Sequence, residues 1–147
     1  MERNNVIMLE KSLIRGKVII KDELYENVLI KAYLCGFSGT LILRRITFKN
    51  CEFIRYSPGS SSFFDCMIFD DCIFENCKFD EVDVRWSQFK KCKFKDCTGT
   101  FNWVYGVGFY NNCTYENTHI DILNPDNGFR HYNSYKGKRK APRYIGE

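Results

Sequence analysis

Eight cysteines, Cys35, Cys51, Cys66, Cys72, Cys77, Cys92, Cys97 and Cys113, are the residues of this chain best equipped for chemistry. Thiolates ligate zinc, attack carbonyls and form disulfides, and each use leaves its own spacing. Structural zinc sites take paired cysteines, yet no Cys-x-x-Cys occurs here. The two histidines, His119 and His131, stand near no cysteine pair at finger spacing. No metal and no other cofactor is therefore expected. Disulfides need an oxidising compartment. The opening residues run into charge without an apolar signal stretch. The expected location is the cytoplasm, with thiols reduced and most of them buried as small apolar side chains. Two histidines in the C-terminal third support no Ser/His/Asp arrangement, and Gly106-x-Gly108 is too short for a phosphate loop. The chain is expected not to be an enzyme.

A second chemistry is available at the C-terminus. Residues 129–147 carry Arg130, Lys136, Lys138, Arg139, Lys140 and Arg143 against Glu147 alone, a net charge of +5. The rest of the chain then holds 16 basic and 17 acidic residues, net −1, which accounts for the overall +4. Phe129, Tyr132, Tyr135 and Tyr144 interleave with these bases. Bases contact phosphates and aromatic rings stack on nucleobases, so these six cations are the candidate nucleic-acid contacts. The competing expectation is a tail that packs its rings on the body of the protein.

The elements that position these groups follow from periodicity. At 147 residues and 17.4 kDa the chain is one domain's worth, with 44% hydrophobic and 27% charged residues. No apolar run reaches the roughly 18 residues of a membrane helix. Thirteen Phe and scarce Ala argue against a helical protein. From residue 46 the chain reads ITFKN-CEFIR, breaks at YSPGSS, then continues SFFDC-MIFDD-CIFEN-CKFDE-VDVRW-SQFKK-CKFKD-CTGTF. Phe stands at 48, 53, 64, 69, 74, 79, 89 and 94, with Val84 at the missing step. Two residues earlier comes a smaller or apolar residue, as at Cys51, Met67, Cys72, Cys77, Val82, Ser87 and Cys92. Neither the 3.6 period of a helix nor the period of 2 of a long strand produces this. A five-residue period with two inward residues means a short strand and a corner, repeated, with four segments per coil.

These residues resemble the pentapeptide-repeat family, clearly over 46–98. The resemblance implies an all-β fold, a right-handed quadrilateral β-helix of about five coils with irregular caps at both ends. Residues 1–128 are expected to form that body, with 1–40 as a degenerate first coil and cap, and 129–147 the basic aromatic tail. Phe-centred, Cys-containing repeats also occur in the branch that protects DNA gyrase, which makes a topoisomerase a candidate partner.

A twenty-residue coil puts residues i and i+20 one strand spacing apart, about 4.8 Å. Outward charges at that spacing are opposite in sign: Asp65 with Arg85, Asp70 with Lys90, Asp71 with Lys91, and Glu75 with Lys95. Counting the YSPGSS break as one extra residue pairs Arg44 with Asp65 and Lys49 with Asp70. The same count predicts core columns Cys51–Cys72–Cys92–Cys113, Phe53–Phe74–Phe94–Tyr115 and Phe48–Phe69–Phe89–Phe109. A core so filled leaves function to the outer faces. On the side centred on Phe64, Val84 and Val104, the outward residues Phe63, Arg85, Trp86, Trp103 and Tyr105 form an aromatic set of the kind that anchors protein interfaces. The leading expectation is a non-enzymatic inhibitor or adaptor that binds a cellular protein through this face. A topoisomerase or, for a phage product of AT-rich coding, a host defence protein fits as target. The alternative is nucleic-acid binding through the tail. A homodimer through a coil end is a further partner expectation.

Overall fold

The computed structural model describes residues 5–10, 17–33, 40–55, 67–84, 87–102, 110–123, 133–136 and 143–145. Eighteen short strands and no helix occur among them. The first sheet stacks seven strands in the order β1 (Asn5–Glu10), β4 (Val28–Tyr33), β7 (Glu52–Phe53), β10 (Lys78–Asp83), β13 (Thr98–Asn102), β16 (His119–Leu123) and β18 (Arg143–Ile145). The second stacks β2 (Lys17–Lys21), β5 (Thr40–Arg44), β8 (Met67–Asp70), β11 (Gln88–Lys90) and β14 (Tyr110–Asn111). The third stacks β3 (Leu24–Glu26), β6 (Thr47–Lys49), β9 (Ile73–Glu75), β12 (Lys93–Lys95), β15 (Cys113–Glu116) and β17 (Asn133–Lys136). Every pairing is parallel, and up to β16 the chain visits the sheets in rotation. The fold is thus an all-β solenoid, as the five-residue period predicts. The stacks hold five to seven strands rather than a uniform five coils. The difference lies at the ends, where β1 to β4 add ladder strands that keep the five-residue step at Ile20, Tyr25 and Ile30 without the Phe and Cys of the repeat, and β17 and β18 extend two of the sheets.

Three sides obey a strict count. The central inward residues of the second sheet are Ile20, Leu43, Phe69 and Phe89, with Tyr110 at the next register position. Five residues on, the third sheet holds Tyr25, Phe48, Phe74, Phe94 and Tyr115. Five further, the first sheet holds Ile30, Phe53, Phe79, Gly99 and Ile120. The return to the second sheet absorbs all the variation: Ile30 to Leu43 is 13 residues, Phe53 to Phe69 is 16, Phe79 to Phe89 is 10 and Gly99 to Tyr110 is 11.

The 16-residue return corrects the register expected across the YSPGSS break. Leu41 pairs with Met67 and Arg44 with Asp70, an offset of 26 where 21 is expected. Phe48 lies opposite Phe74 and Phe53 opposite Phe79, not opposite Phe69 and Phe74. Arg44 therefore meets Asp70, with Nε 3.1 Å from Oδ2, and Lys49 meets Glu75. Asp70 and Glu75 thus stand at the register positions expected for Asp65 and Asp70. The reason is arithmetic: insertions of one and of six residues shift a five-residue phase equally. Beyond the break the twenty-residue offset holds, with Asp70 opposite Lys90 and Glu75 opposite Lys95. Asp65 and Arg85 lie outside the described residues.

Rings fill the interior in registered columns. Tyr25, Phe48, Phe74, Phe94 and Tyr115 stack with centroids 5.6, 4.9, 4.8 and 4.9 Å apart, the last three pairs within 8° of parallel. Phe69 stacks on Phe89 at 4.5 Å and Phe53 on Phe79 at 4.8 Å. Tyr110, not Phe109, takes the register position opposite Phe89. Gly99 occupies the step where another ring is due. A Cβ there would meet the Phe79 backbone oxygen at 2.2 Å, and its φ of +136° lies outside the range of other residues. Phe101, two residues on, fills the space and meets Phe79 edge-on at 4.8 Å.

The cysteines fall in two columns, Cys72–Cys92–Cys113 above Ile46, and Cys51–Cys77–Cys97 continued by Thr118. The column Cys51–Cys72–Cys92–Cys113 expected from the 21-residue count is replaced by these. All six described thiols are free and buried. Each donates to a carbonyl in the preceding coil: Cys51 to Tyr25, Cys72 to Leu43, Cys77 to Phe48, Cys92 to Phe69, Cys97 to Phe74 and Cys113 to Phe89, at 3.1–3.3 Å. The Thr118 hydroxyl does the same to Phe94 at 3.1 Å. These side chains are small donors as well as small apolar fillers.

Corners need a left-handed residue. Asp22, Arg45, Asp71, Lys91 and Asn112 turn the second sheet into the third, and Asn27, Asn50, Asn76, Asp96 and Asn117 turn the third into the first, all with φ between 48° and 59°. Asn and Asp tolerate this region best, which explains their density there. Corner amides donate to the next coil's carbonyls, as Arg45 does to Asp70 and Asn50 to Glu75, both at 2.9 Å.

Candidate interaction surface

The register places outward charges in ladders. On the third sheet Glu26, Lys49, Glu75, Lys95 and Glu116 succeed one another, five rungs of alternating sign, with Lys136 at the next register position. On the second, Arg44, Asp70 and Lys90 alternate. At the corner between them Arg45 donates to Asp22 at 2.6 Å, and this hydrogen bond holds the Asp22 carboxyl below its usual range. On the first sheet Glu52 stands opposite Lys78. Alternation at one strand spacing cancels much of the field of each rung, so among the described residues these three sides carry no continuous stripe of either sign, with Lys21 over Arg44 the one like-charged rung.

The return side is different. Arg55 sits where it begins after β7 and bonds Asp80 at 3.3 Å and Glu81 at 2.6 Å. Glu81 itself is left-handed, φ 50°, at a register shift between Phe79 and Val82. Val82 and Val84 turn into the core, and Asp83 is buried opposite Asn102. The Val84 amide donates to the Asn102 carbonyl at 3.0 Å, and the Ser87 amide donates to Val84 at 3.1 Å, closing the span 84–87. Val84 thus occupies the inward step predicted for it.

Arg85 and Trp86 fall within that span, Phe63 within the 16-residue return, and Trp103 and Tyr105 within the return from β13 to β14. All five lie outside the described residues. So do Arg130, Lys138, Arg139 and Lys140 of the basic tail. Lys136 and Arg143 are described as strand residues, opposite Glu116 and Asp121 respectively. Sequence reasoning did not single out His119, whose Nε2 lies 2.7 Å from Asp121 Oδ1 on the outward face of β16. Among the described residues no group of three or more His, Cys, Asp or Glu is arranged to hold a metal ion.

Three of the buried thiols, Cys51, Cys77 and Cys92, are pushed up, whereas hydrogen bonding with Cys92 pulls the Cys72 thiol down. The Cys77 thiol is pulled down by hydrogen bonding with Cys51, but Cys97 and desolvation outweigh this and lift it to about 12. Cys51 is raised by its hydrogen bond with Cys77 and by desolvation, and Cys92 chiefly by desolvation. Such thiols stay protonated near neutrality and are poor nucleophiles. No family model, no curated protein and no solved structure matches this chain.

Proposed function

We propose that this chain is a pentapeptide-repeat, right-handed β-helix that acts by binding another protein through its return side. The observation carrying this reading is the division of labour among the sides. Three keep a five-residue count, and their outward charges alternate in sign along most of their rungs, Lys21 over Arg44 being the exception. The fourth varies in length from coil to coil, as binding segments on rigid scaffolds do. The sequence assigns Phe63, Arg85, Trp86, Trp103 and Tyr105 to that side, and Trp, Tyr and Arg are the residue types that dominate interface energies. The role is that of an inhibitor or adaptor, with a topoisomerase or a host defence protein as target. The sign-alternating ladders disfavour mimicry of a DNA backbone. Nucleic-acid binding through the tail is the weaker alternative, because Lys136 and Arg143 stand opposite acids.

Affinity capture from lysate with wild type, Trp86→Ala and Trp103→Ala tests the reading. A partner retained by wild type and lost from both variants supports it. A partner set unchanged in both variants refutes it. Capture of nucleic acid that disappears with moderate salt, and with Lys138, Arg139 and Lys140 replaced by Ala, would establish the alternative.

A further inference from the structure

We propose that the N-terminal end of the solenoid is the interface of a two-fold dimer of this chain. Among the described residues all three sheets terminate there in one coil, with β1, β2 and β3 outermost. At the other end the last strands among the described residues are β14, β17 and β18. At the flush end the core is incompletely covered. Val18, Ile20 and Tyr25 are only partly buried, whereas Leu41, Leu43 and Phe48 above them are fully buried. Three of the four exposed large hydrophobics, Val6, Ile19 and Leu24, belong to this coil, Leu24 being 59% exposed.

The charges of this coil are unequally placed. Lys17 and Lys21 stand on β2, and Asp22, Glu23 and Glu26 stand at the corner and along β3. Lys21 lies opposite Arg44, a like-charged rung. Glu26 begins the alternating ladder of the third sheet, which calls for a cation on its open side.

A two-fold axis through the corner between Lys21 and Asp22 meets both demands. It lays β2 of one copy antiparallel over β3 of the other, so that paired residue numbers sum to 43. Lys17 then faces Glu26, Val18 faces Tyr25, Ile19 faces Leu24, and Lys21 faces Asp22. Two ion pairs and two apolar pairs result, each made twice by symmetry. Ile20 against Glu23 is the one mismatch. The segment KVIIK-DELYE is, in this sense, its own complement read backwards. Antiparallel pairing also satisfies the outer edges of β2 and β3, which pair with no further strand among the described residues.

The test is sedimentation equilibrium of the full chain with two charge reversals. Lys17 lies opposite Thr40 within its own copy, so Lys17→Glu leaves the monomer's ladders intact. Wild type is expected to dimerise reversibly, more weakly at high salt. Lys17→Glu sets Glu against Glu26 twice and should weaken the dimer about tenfold to a hundredfold, with an unchanged urea midpoint at dilute concentration. Glu26→Lys should weaken its own homodimer similarly. Mixed, the two variants restore both pairs and should form a heterodimer near wild-type affinity. That rescue survives any loss of stability in Glu26→Lys. A wild type that is monomeric at every attainable concentration overturns the proposal. So does a dimer indifferent to Lys17→Glu, or a mixture that recovers no heterodimer.

Discussion

Phe74 stands at the middle of the longest ring column and is wholly buried. Phe48 and Phe94 stack on its two faces at 4.9 and 4.8 Å, and Phe53, Phe69, Phe79 and Phe89 surround its edge at 5.6–6.1 Å. Phe74→Ala removes the side chain from a site that the registered strands prevent from collapsing. Core Phe→Ala costs about 3–5 kcal/mol, and each stacked pair contributes about 0.5–1.5 kcal/mol beyond burial. With two stacked faces the expected loss is about 5 kcal/mol, a large part of the ~5–15 kcal/mol that holds a domain. Tyr25 gives the contrast. It ends the same column, half-buried, with Phe48 as its stacking partner at 5.6 Å. Tyr25→Ala should cost about 2 kcal/mol, since one stack and less burial are lost. Urea unfolding followed by far-ultraviolet circular dichroism measures both. The Phe74 variant should also show a lowered m-value, because a weakened centre uncouples the halves of a one-dimensional stack. Equal losses at the two positions, or a loss below about 2 kcal/mol for Phe74→Ala, would refute the idea that the column acts as one continuous core.

Other expectations follow from single features. A double-mutant cycle on Arg44 and Asp70 should give a coupling of about 0.3–1 kcal/mol, and one on Arg44 and Asp65 none, which tests the 26-residue register. Gly99→Ala should destabilise by more than the ~1 kcal/mol of an ordinary helix-interior Gly–Ala difference and in the opposite sense, because the added Cβ meets Phe79 backbone; thermal unfolding reads this directly. The native thiols of Cys51, Cys77 and Cys92 titrate above the unfolded value of about 8.5, so above that pH the unfolded state binds fewer protons and stability falls as pH rises. Each such thiol contributes up to about 1.4 kcal/mol per pH unit until its native pKa is reached, measurable as a urea midpoint that drops between neutral and alkaline pH.

The repeat made the fold legible because its inward pairs recur with a period that only a square coil satisfies. Cys72, Phe74, Cys77 and Phe79 lie where that period puts them. Coil length was legible only to within multiples of five. The Phe pattern fixes a residue's phase, not the coil it belongs to, so the 16-residue return looked like a shorter one. The first coil escaped because Ile20, Tyr25 and Ile30 keep the five-residue step without the Phe and Cys that make it visible. Gly99 hid a ring position that Phe101 fills from two residues away. The thiol-to-carbonyl bonds were missed because cysteine was read by its size, although Thr118 in the same column hinted at a donor. Of the candidate surface, Arg55, Val84 and Ser87 flank the positions that the sequence assigns to the aromatic set.

The direction of the ladders has a mechanical consequence. Strands run around the axis, so their hydrogen bonds point along it, and tension applied between the two ends loads one coil's bonds at a time. A released coil of 20 residues extends to about 70 Å, from a rise of about 4.8 Å. Anchored at its ends, such a molecule would behave as a stored tether that yields length coil by coil, with each step set by how many residues that coil spends on its return.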